Sequence, residues 1–225
     1  PIIQQADPRV KKPQVLILRP TRELCVQIAK DLTNYSKYVD GLRVLAVYGG
    51  ANIVGQIKEL KEGVQIIVAT PGRLKDLMQR KVAKLSNVFR VVLDEADEML
   101  NMGFLDDINE ILSDIPTERN TLLFSATMPK EIQRIANKYM TDPVEVVAGV
   151  RGAGAENVKH LLYTVHAKDK YLALKRLADF YPMIYGIVFC RTRRETQEIA
   201  DKLIQDGYNA DSLHGDLSQQ QRDYV

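Results

Sequence analysis

Short apolar runs rich in Val, Ile and Leu recur along the chain, separated by stretches in which apolar residues return every three or four positions. The runs are Val15 to Leu18, Val44 to Val47, Ile66 to Ala69, Val91 to Leu93, Thr121 to Phe124 and Val144 to Val147. Runs this short and uniformly apolar are the pattern of parallel strands covered on both faces, since neither face of such a strand meets water. Between them, Glu23 to Tyr38 sets Leu24, Ile28, Leu32 and Tyr35 on one stripe, and Leu105 to Leu112 and Ile132 to Tyr139 repeat the period over shorter lengths. Helices are expected there. The alternation predicts an α/β fold, an open parallel sheet with right-handed crossovers.

After Val147 the pattern breaks. Ala148 to Ala155 contains three glycines and no apolar periodicity, so 148–156 is expected to be a linker between a first domain, 1–147, and a second, 157–225. A second set of elements opens at Val158: a strand near His160 to Val165, a helix Tyr171 to Phe180, a strand Gly186 to Cys190, a helix Glu195 to Ile204 and a strand Asn209 to Leu213. The last residues resemble the start of another helix, and Pro1 to Gln5 the tail of one, so the second domain is expected to be truncated and the chain to be a piece of a longer product.

Composition narrows the possibilities. At 225 residues and 45% hydrophobic, the chain can bury about one and a half domain cores. Up to residue 145 there are 20 basic and 19 acidic residues, and after it 11 and 10. Neither half is a polybasic binder, so any nucleic-acid contact has to come from local loops and helix ends. Cys25 and Cys190 stand alone without metal or disulfide-framework spacing, which suits a reducing compartment. Without a signal peptide pattern or an apolar run near the ~20 residues that span a bilayer, a soluble, cytoplasmic protein is expected.

In an open parallel sheet, ligands bind beyond the carboxyl ends of the strands, so the residues just after each apolar run carry the chemistry. Those residues are Pro20-Thr21-Arg22-Glu23-Leu24, Gly49-Gly50, Thr70-Pro71-Gly72-Arg73, Asp94-Glu95-Ala96-Asp97 and Ser125-Ala126-Thr127. In the second half, Arg191-Thr192-Arg193-Arg194 and His214-Gly215-Asp216 stand in the same relation to their runs. Asp94, directly after a buried run, places a hard oxygen ligand at the mouth of a dry sheet, which suits Mg²⁺ held through water beside nucleotide phosphates. Glu95 beside it is suited to orient the attacking water. The same four residues also make an ordinary acidic first helix turn.

Thr21 and Thr70 sit where strands hand over to helices, each with an arginine nearby, and such starts bind phosphate; they are equally good caps and turns. Gly49-Gly50 either forms a tight turn or lets a phosphate approach the backbone. Ser125 and Thr127 fall within reach of Asp97, although a polar strand end is the plainer account of them. Arg191, Arg193 and Arg194 read equally as a solvated helix start, His214 as structural, and Met99, Met102 and Phe104 as core.

Taken in order, PTREL (20–24), GG (49–50), TPGR (70–73), DEAD (94–97), SAT (125–127), VFCRT (188–192) and HGD with QQQR (214–222) resemble the DEAD-box RNA helicases of superfamily 2, bacterial general RNA helicases above all. The resemblance covers essentially the whole chain. It implies two RecA-like domains that close around ATP and RNA, single-stranded or duplex, without sequence preference. By that resemblance Asp94 holds Mg²⁺ through water, Glu95 positions the hydrolytic water, and Asp97, Ser125 and Thr127 couple hydrolysis to unwinding. RNA contacts are implied for Pro20, Thr21, Arg22, Gly49, Gly50, Thr70, Pro71, Gly72 and Arg73, and for Arg191, Thr192, Gly215 and Arg222.

The chain departs from the family by holding no A-x-x-G-x-G-K-T phosphate loop and none of the late arginines that touch the γ-phosphate. The first sheet is therefore expected to lack a central strand. Because an arginine finger contributes roughly 10³–10⁵ in rate in comparable enzymes, residues 1–225 alone are expected to hydrolyse no ATP. RNA-stimulated phosphate release from that purified polypeptide contradicts the expectation. The alternative functions are an inactive RNA-binding module and a DNA-directed helicase of the same superfamily, for which a DExH sequence is expected in place of Asp97.

Overall fold

The computed structural model describes residues 1–148 and 158–225, so the expected linker lies outside it except for Ala148. The described residues divide into two compact units, Pro1–Val147 and Ala148–Val225.

The first unit is built on five parallel strands, β1 (Val15–Leu18), β2 (Val44–Val47), β3 (Ile66–Ala69), β4 (Arg90–Leu93) and β5 (Asn120–Leu123), in the order β2-β3-β1-β4-β5. The register aligns their ends. Leu18 lies opposite Ala69 on one side and Leu93 on the other, with Val47 opposite Ala69 and Leu93 opposite Leu123. Every strand therefore delivers its next residue to one common rim.

Period two divides the strand side chains between two cores. Leu16, Leu18, Ile67, Val91 and Leu93 face α4 (Pro71–Gln79), α5 (Ala96–Asn101), α6 (Leu105–Asp114) and α7 (Lys130–Tyr139), contacting Leu74, Leu77, Met99, Ile108, Ile111 and Ile132. Val15, Ile17, Ile66, Val68 and Val92 face α2 (Arg22–Tyr35), where Cys25 and Ala29 are buried and Ile28 and Leu32 half-buried. Each wholly buried Leu or Ile contributes about 1.5–3 kcal/mol. Two-sided burial is the reason these runs carry no polar alternation. α3 (Ile53–Glu62) lays Ile53, Ile57 and Leu60 on the first core, and the one-turn α1 (Ile2–Gln5) lays Ile2 and Ile3 on the second. At the end of the sheet away from the rim, buried Gln65 donates to the carbonyls of Pro8 (3.2 Å) and Val10 (3.1 Å) and accepts from the Arg43 N–H (2.8 Å). Buried polar side chains of this kind satisfy a loop that no strand could pair.

Several expectations need correction. The five described strands form one continuous ladder with β1 at its centre, so no gap is left inside it and a further strand would join at the β2 or β5 edge. β5 begins one residue earlier than expected and stops before Phe124. α2 ends at Tyr35, which is 74% exposed and off the apolar stripe, because Ser36 caps the helix. Val144 to Val147 forms no strand: Val144 and Val146 are each 87% exposed, and extended chain without a ladder partner is not held. Met102 is exposed rather than core, whereas Met99 is fully buried and Phe104 packs at the core's margin.

Gly63, which ends α3, has φ +96°, and a Cβ there would lie 2.6 Å from Lys11 Cβ and 3.1 Å from the Lys11 carbonyl oxygen. Gly63→Ala is expected to destabilise the first unit by about 2–4 kcal/mol, combining a conformation that L-residues rarely adopt with a clash against backbone. A lowered urea midpoint with unchanged slope, followed by circular dichroism, checks it.

In the second unit the described residues form α8 (Lys170–Phe180), α9 (Arg193–Gln205) and α10 (Gln219–Tyr224). The Tyr171 hydroxyl donates to Asp206 Oδ2 (2.6 Å) and Lys175 pairs with the same oxygen (3.0 Å), clipping α8 to the end of α9. The strands expected at His160–Val165, Gly186–Cys190 and Asn209–Leu213 are not formed; Leu162 and Phe189 are each 92% exposed. Apolar runs become strands only where a ladder and two covering faces exist, and this unit provides neither for them among the described residues.

Candidate functional site

The sheet ladder continues one step past the strand ends and so fixes the rim. The Arg19 N–H donates to the Ala69 carbonyl (2.9 Å), Asp94 to Leu18 (3.1 Å), Thr70 to Val47 (2.9 Å) and Phe124 to Leu93 (2.8 Å). Asp94 therefore leaves β4 beside Arg19 leaving β1. The two side chains form an ion pair, and Arg19 Nη2 lies 3.8 Å from Glu95 Oε1. Asp94 Oδ1 also accepts the Glu95 N–H at 3.0 Å. Glu95 has φ +53° and ψ +51°, a left-handed conformation that costs about 1–3 kcal/mol in a side chain of this kind. That turn breaks the strand direction, starts α5, and lets the Ala96 N–H donate to the Phe124 carbonyl across to β5 (3.0 Å). Strain of this sort persists where the surroundings over-determine it, and it clusters at functional sites.

Asp97 is the next link to β5. Its N–H donates to Ser125 Oγ (3.2 Å), and its Oδ2 accepts both the Thr127 hydroxyl (2.7 Å) and the Thr127 N–H (2.9 Å). Ser125 Oγ in turn donates to the Thr127 carbonyl (2.6 Å). Partial burial by itself raises the Asp97 carboxyl, but hydrogen bonds from Thr127, Ser125 and the Glu98 N–H outweigh it and hold the group below the usual carboxylate value. A depressed native pKa contributes stability above the unfolded value, about 3.9, and that contribution is lost as pH falls through the native value. Thr127 amide protection from exchange is accordingly expected to stay level at neutral pH and to weaken only below about pH 4.

Along the rest of the rim, Thr21 caps α2 by accepting the Leu24 N–H (3.4 Å), whereas Thr70 precedes α4 without a side-chain cap bond, leaving its hydroxyl available. Pro71 is buried as the first residue of α4, while Pro20 and Gly49 lie in the connections. Gly50 has φ +77°, and a Cβ on it would stand 3.8 Å from Arg22 Nη1. The Arg22 guanidinium lies over the Tyr48 ring, 4.9 Å from its centroid. Arg73 turns inward. Its Nη1 donates to the Ala51 carbonyl and to Gln56 Oε1 (3.2 Å each), and buried Gln56 donates to the Tyr48 carbonyl (3.2 Å). Arg73 thus braces the Gly49-Gly50 loop. Gly72 faces Asp107 and Phe104, which would stand 3.7 and 3.9 Å from a Cβ placed on it, leaving room for ordinary packing only.

In the second unit, Thr192 caps α9 by accepting the Glu195 N–H (3.1 Å), and the Arg191 N–H donates to Glu195 Oε2 (3.1 Å). Arg193 pairs with Asp216 (2.5 Å), and a Cβ on Gly215 would meet Arg193 Nε at 3.4 Å. His214 bonds Gln197 (3.1 Å). The two segments expected to touch RNA are thereby tied to each other. Arg222 lies in the last turn of α10, whose start carries a Ser218–Gln221 capping box.

Tyr48, Gln56 and Arg19 were not among the residues expected from sequence. Tyr48 and Arg19 each adjoin a motif, and that adjacency is the signal that could have found them, whereas Gln56 lies within α3 and nothing in the local sequence marks it. As for metal, no group of three or more His, Cys, Asp and Glu could hold an ion among the described residues. Mg²⁺ at phosphate sites is bound by one or two carboxylates while water and phosphate supply the rest. Asp94, with its side chain 29% exposed at the rim, fits that role.

A five-stranded parallel sheet with helices on both faces defines an α/β domain of RecA-like type, and its rim carries carboxylates, hydroxyls and helix starts. Residues 1–135 match the DEAD/DEAH box helicase family. The chain belongs to that family. It is 46% identical over 224 residues to the ATP-dependent RNA helicase CshA of Listeria monocytogenes, covering 99% of this chain and 42% of that protein. It is 42% identical over 223 residues to the ATP-dependent RNA helicase DeaD of Escherichia coli, covering 99% of this chain and 36% of that protein. A crystal structure of a DEAD box protein from the hyperthermophile Methanococcus jannaschii superposes with TM-score 0.62 at 40% identity, over 99% of this chain and 59% of that one. The chain thus spans less than half the length of these two curated relatives.

Proposed function

We propose that this chain belongs to an ATP-dependent RNA helicase, in which residues 1–147 form the first RecA-like domain and 157–225 part of the second. The observation that carries the proposal is the joining of an acidic pair, Asp94-Glu95, to a hydroxyl–carboxylate link, Asp97–Thr127, at the mouth of one sheet. Asp94 is the carboxylate that would hold Mg²⁺, and that ion would neutralise charge developing on the phosphates. Glu95, 44% exposed and aimed off the strand by its left-handed turn, orients the attacking water and accepts its proton. The Asp97–Ser125–Thr127 link ties that site to β5 and α7, so that events at the phosphates reach the RNA-holding loops.

Pro20, Thr21, Arg22, Gly49, Gly50, Thr70, Pro71 and Gly72 grip the RNA backbone, with Arg73 holding the Gly49-Gly50 loop in place. Arg191, Thr192, Gly215 and Arg222 make the contacts of the second domain. Helix starts, glycine amides and isolated arginines read phosphate rather than bases, so the grip is blind to sequence. No helix among the described residues is long and apolar enough to cross a membrane. The setting is cytoplasmic, where two cysteines without metal or disulfide-framework spacing stay reduced.

ATP hydrolysis by the full-length protein, stimulated in parallel by RNA and by DNA of the same sequence, tests the proposal. RNA is expected to stimulate and DNA not, because RNA-specific sites sense the 2′-hydroxyl. Equal stimulation by DNA, or none by RNA, contradicts it.

A further inference from the structure

Arg19 is the first residue past the central strand, and the register sets it directly beside Asp94. Its side chain is 9% exposed, against 29% for Asp94 and 44% for Glu95. Its Nε is buried and without a hydrogen-bond partner. The guanidinium pairs with Asp94 Oδ2 and faces Glu95 Oε1 at 3.8 Å, while Asp94 Oδ1 accepts the Glu95 N–H. Both oxygens of the carboxylate assigned to the metal are therefore engaged within the protein itself. An arginine in a protein keeps its proton at any physiological pH, so this cation is permanent.

This arrangement differs from a rim salt bridge. An exposed pair is solvated, screened and weak, but here the cation is buried, its side chain only 9% exposed. A guanidinium and a hydrated divalent ion are alternative partners for the same oxygen. Each lowers the affinity of the site for the other by Coulomb repulsion at short range. Phosphate oxygens arriving with the ion offer the guanidinium a replacement, since arginine binds phosphate as readily as carboxylate.

We infer that Arg19 is an internal counter-cation of the acidic site, a positioning residue that occupies Asp94 in the metal-free protein and must release it before a divalent ion binds. The inference rests on the assignment of Asp94 as the metal-side carboxylate. Its consequence is that the site binds metal poorly on its own and well only when an anionic phosphate relieves Arg19. Occupancy by a bare ion without nucleotide is thereby suppressed.

The test is Mn²⁺ binding to the full-length protein without nucleotide, read as loss of the free-ion EPR signal, in wild type, Arg19→Met, Arg19→Lys and Asp94→Asn. Arg19→Met is expected to bind Mn²⁺ at least about tenfold more tightly than wild type, as removal of one unit charge at short range implies. Arg19→Lys, which keeps the charge, is expected to stay near wild type. The gain is expected to vanish when Asp94→Asn is added to Arg19→Met. Equal or weaker binding by Arg19→Met, with binding in both proteins still dependent on Asp94, overturns the counter-cation role alone. Absence of Asp94-dependent binding in every variant overturns the metal assignment and this inference together. Should circular dichroism show Arg19→Met misfolded, the wild-type ¹⁵N signal of the Arg19 Nε–H group decides. A shift on adding Mg²⁺ together with ATP that exceeds the shift with Mg²⁺ alone and that Asp94→Asn abolishes supports the inference, and an unmoved wild-type signal with both present overturns it.

Discussion

Glu95→Gln in the full-length protein is expected to lower RNA-stimulated ATP turnover by about 10²–10⁴-fold, the contribution of a positioned general base, while ATP affinity changes little. The amide is nearly isosteric, so the fold and the left-handed turn at Glu95 are kept, yet it cannot accept a proton at neutral pH. The interaction it removes is made with the attacking water and strengthens towards the transition state, so the loss falls on kcat rather than on binding. Glu95 is the more exposed of the two carboxylates facing Arg19, and its role is therefore separable from that of Asp94. Nucleotide titration alongside steady-state turnover checks the separation. A parallel loss of ATP binding contradicts the assigned role.

Asp97→Ala is expected to reduce RNA strand separation by roughly tenfold or more while ATP hydrolysis stays within a few-fold of wild type. One carboxylate oxygen receives two hydrogen bonds from Thr127, and bonds to a charged acceptor contribute about 1.5–3 kcal/mol each. Losing them frees the Ser125–Thr127 turn without touching Asp94 or Glu95. Thr127→Ala removes only the hydroxyl bond, so its effect is expected to be smaller. Combined with Asp97→Ala it is expected to add almost nothing, as in a double-mutant cycle of direct partners. Full additivity of the two changes contradicts a shared link.

Much of the first unit was legible in the sequence because burial on both faces erases polar alternation. Val15–Leu18, Val44–Val47 and Ile66–Ala69 are runs with no other physical explanation, and they are strands over those same residues. α4 and α5 were hidden because their first turns are the motifs themselves. Thr70-Pro71-Gly72-Arg73 and Asp94-Glu95-Ala96-Asp97 draw attention to chemistry while also being helix starts. α3 was missed because Gly55 and a polar face obscure its period, although Asn52 is a good cap. In the second unit the apolar runs at 160–165 and 186–190 have strand composition without strand pairing, which depends on partners that local sequence does not contain.

The site divides in the same way. That Ser125 and Thr127 should reach Asp97 follows from two strands lying side by side. Arg19 was not singled out from the sequence, and Arg73 was expected there as an RNA contact rather than as a loop brace. Arg19 is buried against the neighbouring strand's carboxylate, and Arg73 braces a loop 17 to 22 residues away in sequence. Both are long-range facts about side-chain direction, which residue spacing does not encode.

The central claim is that an acidic pair and a hydroxyl–carboxylate link on one sheet rim belong to an ATP-driven machine for opening RNA. The most direct measurement is the release of a labelled strand from a short RNA duplex by the full-length protein, with ATP, without nucleotide, and with Glu95→Gln in place of wild type. Strand release that requires ATP and falls with Glu95→Gln is the predicted result. Release at the same rate without nucleotide, or undiminished in Glu95→Gln, contradicts the account.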